Sequence, residues 1–236
     1  MPESNPSPDV LIVVAKRPAA GQTKTRLSPP LSPEEAAALY ECFLRDTLAL
    51  MRRLPDVRRV IAHLPPNAKS YFRRLAPDFE TIPQRGADLG ARLDNTLTHY
   101  LRRGCRQAVI MNSDGPTLPP AHLQAAFDAL AGETDVALGP SDDGGYYLIG
   151  LKRPAPRLLR GVTMSTPTVL RDTLALAADA GLRVHLLPPW YDVDDPTSLA
   201  RLQAELAHAP PDTAPHTRVF FRQKKTGGSE PPAIAG

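Results

Sequence analysis

The sequence predicts an α/β protein with a mostly parallel central sheet and helices on both faces. Three observations predict it. Val10 to Ala15 and Ala108 to Met111 are continuous apolar runs, as expected of strands buried on both sides. Segments with helical spacing of apolar residues alternate with such runs along the chain. The connections between them are too long for hairpins but suit crossovers between parallel strands.

Each element follows from its own signals. After the strand Val10–Ala15, Ser32-Pro33-Glu34-Glu35 supplies an N-cap, a proline at the first helical position and a glutamate at the third. The helix it opens runs to about Arg53, with Ala37, Tyr40, Leu44, Leu48 and Met51 at helical spacing. Val57 to Leu64 reads as the second strand, Ala68 to Leu75 as a short helix and Phe79 to Pro83 as a weaker strand. Leu89 to Leu101 is helical, Ala108 to Met111 a strand and His122 to Ala131 a helix. Val136 to Leu138 and Tyr146 to Leu151 are strands on either side of Gly139–Gly145. Thr168 to Ala180 is a helix, Arg183 to Leu187 a strand and Ser198 to Leu206 the last helix, capped by Asp195 with Pro196 behind it.

With 236 residues, 42% hydrophobic and 22% charged, the chain is of ordinary globular composition. The net charge is +3. From Ala209 onward four cations (Arg218, Arg222, Lys224, Lys225) face two acids (Asp212, Glu230), so +2 sits there and +1 on the rest. A near-neutral body argues against nucleic acid as a partner. The two cysteines, Cys42 and Cys105, form no CxxC or Cys/His cluster, which argues for reduced thiols and against a zinc site. MPESNPSPD lacks a basic leader and no apolar run approaches membrane-spanning length, so a cytoplasmic protein with no membrane partner is expected. The expected organisation is a flexible N-terminus (1–9), one domain (10–208) and a mostly disordered basic, proline-rich tail (209–236).

In a parallel sheet the ligand site lies beyond the carboxyl ends of the strands. There the chain places KRPAAGQTKTRL, NSDGPTLP, PSDDGGYY and WYDVDDPTSL. One loop brings cations and three bring carboxylates, as a metal–nucleotide site requires. Lys16, Lys24 and Arg26, with Gly21 for flexibility, are expected to bind phosphate. The glycine that a Walker A loop needs before its lysine is missing, and no GxSxG or GxGxxG is present. Asp114, two residues past a buried strand, is the expected metal ligand, with Asp192 or Asp194 as a second, because both lie on one side of an extended segment. Asp142 and Asp143 have an ordinary alternative as solvated turn residues. Asp143 is read instead as a group facing the sugar or acceptor, acting as a base or binding hydroxyls. Gly144 and Gly145 would let backbone N–H groups approach the ligand, and of Tyr146 and Tyr147 one should face the pocket.

Together AKRPAAGQTKTRL, QRGADLG, NSDGPTL, GPSDDGGYYLIGL and DVDDPTSL resemble the rSAM/selenodomain-associated transferase 1 family, described as glycosyltransferases of arsenosugar type. That family lies within the GT-A nucleotide-diphospho-sugar transferase superfamily, and the resemblance covers roughly Val10 to Leu206. KTRLSPPLSPEEAAAL is also similar to the start of 2-phospho-lactate guanylyltransferases. The resemblance implies a single Rossmann-like GT-A domain, Mg²⁺ or Mn²⁺ as cofactor, and a nucleotide or nucleotide-sugar with a small-molecule acceptor as partners. It implies that Lys24 and Arg26 contact phosphates, that Gln84, Gly86 and Gly90 border the base, that Asp114 is the metal aspartate and that Asp194 or Asp192 is the second acidic position. Asn112, Gly115 and Met164 depart from the family pattern, the last standing where a tryptophan is usual. The implied activity is metal-dependent glycosyl transfer. The alternative is nucleotidyl transfer to a phosphorylated small molecule, which the strongly basic first loop suits because a triphosphate needs more cationic cover. A non-catalytic nucleotide-binding protein would have no need of carboxylates beside phosphate.

Overall fold

A computed structural model describes residues 9–226. Seven strands form one sheet: β1 (Asp9–Lys16), β2 (Val57–Leu64), β3 (Glu80–Pro83), β4 (Ala108–Met111), β5 (Val136–Pro140), β6 (Tyr146–Leu151) and β7 (Val184–Leu186). Their order is β3-β2-β1-β4-β6-β5-β7. Every pairing is parallel except those of β6, which runs antiparallel to β4 and β5. The strand reading therefore holds, and β5 and β6 form a hairpin whose loop is the Ser-Asp-Asp-Gly-Gly stretch.

Among the described residues eight α-helices cover the sheet: α1 (Pro33–Arg52), α2 (Lys69–Leu75), α3 (Leu89–Leu101), α4 (Pro120–Ala131), α5 (Pro156–Arg160), α6 (Val169–Asp179), α7 (Pro196–His208) and α8 (Pro215–Lys225). On one face Leu11 and Val13 of β1 meet Phe43 and Leu44 of α1, Phe72 of α2 and Leu202 of α7. On the other, Val10 and Ile12 meet Leu93 and Leu97 of α3, Leu158 and Leu159 of α5 and Ala177 of α6. The alternation along β1 separates the two cores, since successive side chains leave opposite faces. The cap signals read from the sequence are present. Ser32 and Glu35 close a capping box on α1, and Asp195 and Ser198 close one on α7.

Helix α8 corrects the expectation of a disordered tail over 209–236 and extends the packed body past 208. Its first turn has no capping side chain of its own, and Ala214 before it is left-handed. Asp46 of α1 does the capping instead, accepting from His216 N at 2.9 Å, Thr217 N at 2.9 Å and Thr217 Oγ1 at 2.6 Å. Phe220 is buried in the core against α1, and Lys224 donates to Glu35 at 2.6 Å. Composition hid this, because one distant carboxylate and the Phe220–Phe221 pair hold a segment that is otherwise mostly polar. The expected flexible N-terminus lies outside the described residues except for Asp9, which opens β1. So does the end of the tail, 227–236. Both cysteines are buried and unpaired with each other. Among the described residues no helix is long and apolar enough to cross a membrane.

Candidate active site

A cleft of about 430 Å³ opens at the carboxyl edge of the sheet, a size suited to a small-molecule ligand. Its floor is the ends of β1 (Val14, Ala15, Lys16) and β4 (Ile110, Met111) with the start of antiparallel β6. It straddles the sheet edge: Tyr40 and Asp194 line the α1 side, Leu93 and Met164 the α3 side.

The first loop leaves β1 and turns on itself, with Thr23 Oγ1 donating to Ala19 O at 3.1 Å. Lys24 then takes a left-handed conformation, φ 50° and ψ 40°, which costs a side-chain-bearing residue about 1–2 kcal/mol. Such a backbone persists only when its surroundings fix it. Here the side chain does so. The Lys24 side chain is 5% exposed, and its ammonium pairs with Asp114 Oδ1 and, at 2.7 Å, with Asp194 Oδ1. Burial works against that charge, but Asp114 and Asp194 outweigh it and hold the ammonium above its ordinary pKa. Arg26 Nη2 donates to the other oxygen of Asp194 at 2.9 Å. Beneath them Tyr40 Oη lies 2.9 Å from Ser113 Oγ and accepts from Lys16 N at 3.1 Å, tying the β1 and β4 loops together.

Asp192 differs from Asp194. Its oxygens accept from Asn112 Nδ2 at 2.9 Å and Ser141 Oγ at 3.3 Å, so it joins the β4, β5–β6 and last loops. Burial, then the charge on Asp114, pushes its pKa up to about 7. Of the two aspartates read as alternatives, Asp194 shares a cation with Asp114 and Asp192 is held by neutral donors. Among the described residues no group of three or more Asp, Glu, His or Cys side chains is arranged to hold a metal ion. The pair Asp114–Asp194 nevertheless fits a hard cation, since two carboxylate oxygens converge on one positive centre, the Lys24 ammonium.

Other sequence-predicted residues are partly reassigned. Lys16, Gln84, Asp143, Gly145 and Tyr146 line the cleft; Gly21, Gly86, Gly90 and Gly144 do not. Gly21 turns the first loop in open space with φ +69°. A Cβ on Gly86 would stand 2.7 Å from the backbone of Ala91 and Arg92, and one on Gly90 2.0 Å from Leu159 O. These two let the start of α3 pack against its own loop and α5, and neither lines the cleft. Gly144 likewise meets Pro167 O, at 2.0 Å from a built Cβ, with φ +86°. Its N–H donates to Ser141 O, and the Gly145 N–H donates to Asp143 Oδ1 at 2.9 Å, so neither points freely at a ligand. Asp142 pairs with Arg201 at 2.5 Å, outside the cleft. Gln84 is anchored by Nε2 to Ala62 O at 2.8 Å. Tyr146 and Tyr147 diverge as expected: Tyr146 Oη reaches Met164 Sδ at 3.8 Å on one face, and Tyr147 Oη sits 3.1 Å from His122 Nδ1 on the other.

Sequence reading missed Arg92, which lines the cleft. The available signal was a charge between Leu89 and Leu93 on the apolar side of a helix.

This order of strands, with a cleft over β1 and β4, is the GT-A and cytidylyltransferase-like fold. Solved structures share it. A protein from Desulfovibrio desulfuricans G20, provisionally described as a nucleotide-diphospho-sugar transferase, is 29% identical with TM-score 0.85, over 92% of this chain and 95% of that one. The 4-diphosphocytidyl-2C-methyl-D-erythritol synthase from Anaerococcus prevotii DSM 20548 (8% identity, TM-score 0.57, 85% and 97% covered) shares the fold. So does a cytidylyltransferase from Leptospira borgpetersenii serovar Hardjo-bovis (11%, 0.54, 92% and 94%). No curated protein matches the chain. Residues 47–166 match the family described as "Uncharacterized protein conserved in bacteria (DUF2064)", and the chain belongs to that family.

Proposed function

We propose that this protein is a transferase that joins a nucleotide, taken from a nucleoside triphosphate, to an anionic small molecule and releases pyrophosphate. The observation that carries it is the buried Lys24 ammonium between Asp114 and Asp194, with Arg26 on the other oxygen of Asp194 and Lys16 lining the same cleft from the end of β1. Three cations from one loop suit the charge of a triphosphate. In the reaction an acceptor oxygen attacks the α-phosphorus, a new P–O bond forms, and the bond to the bridging oxygen of the β-phosphate breaks. Lys24 and Arg26 hold the phosphates in line and receive the charge that builds on the leaving group. Asp143, on the far lip, orients the acceptor through the carboxylate oxygen not used by Gly145 N–H. Asp114 and Asp194 would hold Mg²⁺ or Mn²⁺. When bound, the ion supplies neutralisation of phosphate oxygens and stabilises the departing diphosphate.

Glycosyl transfer from a nucleotide-sugar is the second reading, of the arsenosugar type that the motifs resemble. The 29% identity to the Desulfovibrio protein favours it. Binding and product chemistry separate the two. Nucleoside triphosphates with Mg²⁺ should raise the melting temperature more than nucleotide-sugars do, since a ligand at 100 times Kd adds about 2.7 kcal/mol. With a small-metabolite extract as acceptor source, pyrophosphate should appear. Release of nucleoside diphosphate from a nucleotide-sugar, without pyrophosphate from any triphosphate, would establish the second reading instead.

A further inference from the structure

Across the sheet edge from Lys24, the cleft ends in a hollow lined by Val14, Leu64, Leu89 and Leu93, with the Gln84 amide and the Arg92 guanidinium as its polar groups. Arg92 stands in the second half of the first turn of α3, on the same side as Leu89 and Leu93. Its Nε is buried with no hydrogen-bond partner. The described residues give it no carboxylate either, whereas Arg160, which also packs on α3, is paired with Asp94 at 2.5 Å. A half-buried guanidinium left with unused donors is costly unless a ligand supplies acceptors.

The geometry points to Arg92 as the residue that reads the nucleobase, selecting bases with two adjacent acceptors, guanine or cytosine, over adenine and uracil. This rests on the nucleotide-binding reading above and deepens it. The walls of the hollow are aliphatic, which suits the faces of a heterocycle and would leave a free anion poorly solvated. The charge of the nucleotide is already met at the other end of the cleft by Lys24 and Arg26. A guanidinium offers donors alone, in a fork. Guanine presents O6 beside N7 and cytosine presents O2 beside N3, so each accepts both prongs. Adenine places an amino donor beside N7, and uracil separates its carbonyls by N3–H, so each accepts one prong and leaves the other unpaired. A site built to be hydrogen-bonded rejects ligands that leave it unpaired.

The test is calorimetric titration, with Mg²⁺, of GTP, CTP, UTP, ATP and inorganic tripolyphosphate into the full chain and into Arg92→Ala and Arg92→Lys. The unmodified protein should bind GTP or CTP roughly tenfold or more tighter than ATP and UTP. Both variants should bind the four nucleotides alike and tripolyphosphate as before, because lysine keeps the charge but not the fork. If GTP is preferred, 7-deaza-GTP should lose most of the advantage. Nucleotide binding without discrimination, or discrimination unchanged in Arg92→Ala, overturns the base reading alone. An equal loss for tripolyphosphate also overturns it and makes Arg92 a phosphate ligand. If neither tripolyphosphate nor any nucleotide binds the unmodified protein, the proposed function falls, and the base reading with it.

Discussion

The loop after β1 and the hairpin loop between β5 and β6 look alike as sequence: each is polar, contains glycine and sits at a strand end. In the structure they use their polar groups differently. Lys24 and Arg26 reach carboxylates 170 and 168 positions away, and Lys24 does so from a left-handed backbone. Asp143 and Gly144 are satisfied by Gly145 N–H and Ser141 O, a few residues off. Asp142 pairs with Arg201 on the surface. The first loop brings distant charges to one point at an energetic cost, which marks a site. The second mostly closes a turn and presents a single carboxylate, Asp143, to the cleft.

Substitutions can break or sharpen this contrast. The largest effect is expected at Gly144, the most scaffold-like position. Gly144→Val forces a left-handed backbone and a clash with Pro167 O. It should remove at least about 2 kcal/mol of stability and roughly 4–8 °C of melting temperature, as read by calorimetry. An unchanged melting temperature would show that the 166–168 segment yields and that the glycine is not structural.

Asp114→Asn should abolish the metal dependence of nucleotide binding while leaving the melting temperature of the unliganded protein within a few degrees. Nucleotide affinity that still rises with Mg²⁺ in this variant would remove Asp114 from the metal site. Asp143→Ala should lower turnover about tenfold or more with little change in nucleotide affinity, because in the proposed reaction its carboxylate orients the acceptor and not the nucleotide. Full turnover would return Asp143 to being part of the turn. The smallest effect belongs to Arg201→Ala. Its exposed pair with Asp142 should be worth less than about 1 kcal/mol, and neither affinity nor turnover should move.

Much of the fold was legible because it rests on local signals. The buried runs gave β1 and β4, and the capping boxes gave the starts of α1 and α7. Helix α8 was not legible, since its cap is Asp46, 171 residues before Thr217. The same division holds in the site. Asp114, Lys24 and Arg26, which the structure brings together with Asp194, are legible as candidates because chemistry-bearing residues directly follow strands. Gly86, Gly90 and Gly144 are closely packed and lie off the cleft lining, which the sequence does not show because a glycine needed for close packing and one needed for ligand approach read identically. Arg92 was overlooked because a charge in a first helical turn reads as a solvated end until the fold turns it inward.

Lys24 as a phosphate ligand is the point on which the proposed function turns. Its measurement is the calorimetric affinity of Lys24→Ala and the unmodified protein for a nucleoside triphosphate, with the corresponding nucleoside as control. The expected result is a loss of ~1.5–3 kcal/mol for the triphosphate, the range for hydrogen bonds to charged groups, and almost none for the nucleoside. Equal losses for both, or none for either, would contradict it and leave Lys24 a structural bridge between Asp114 and Asp194.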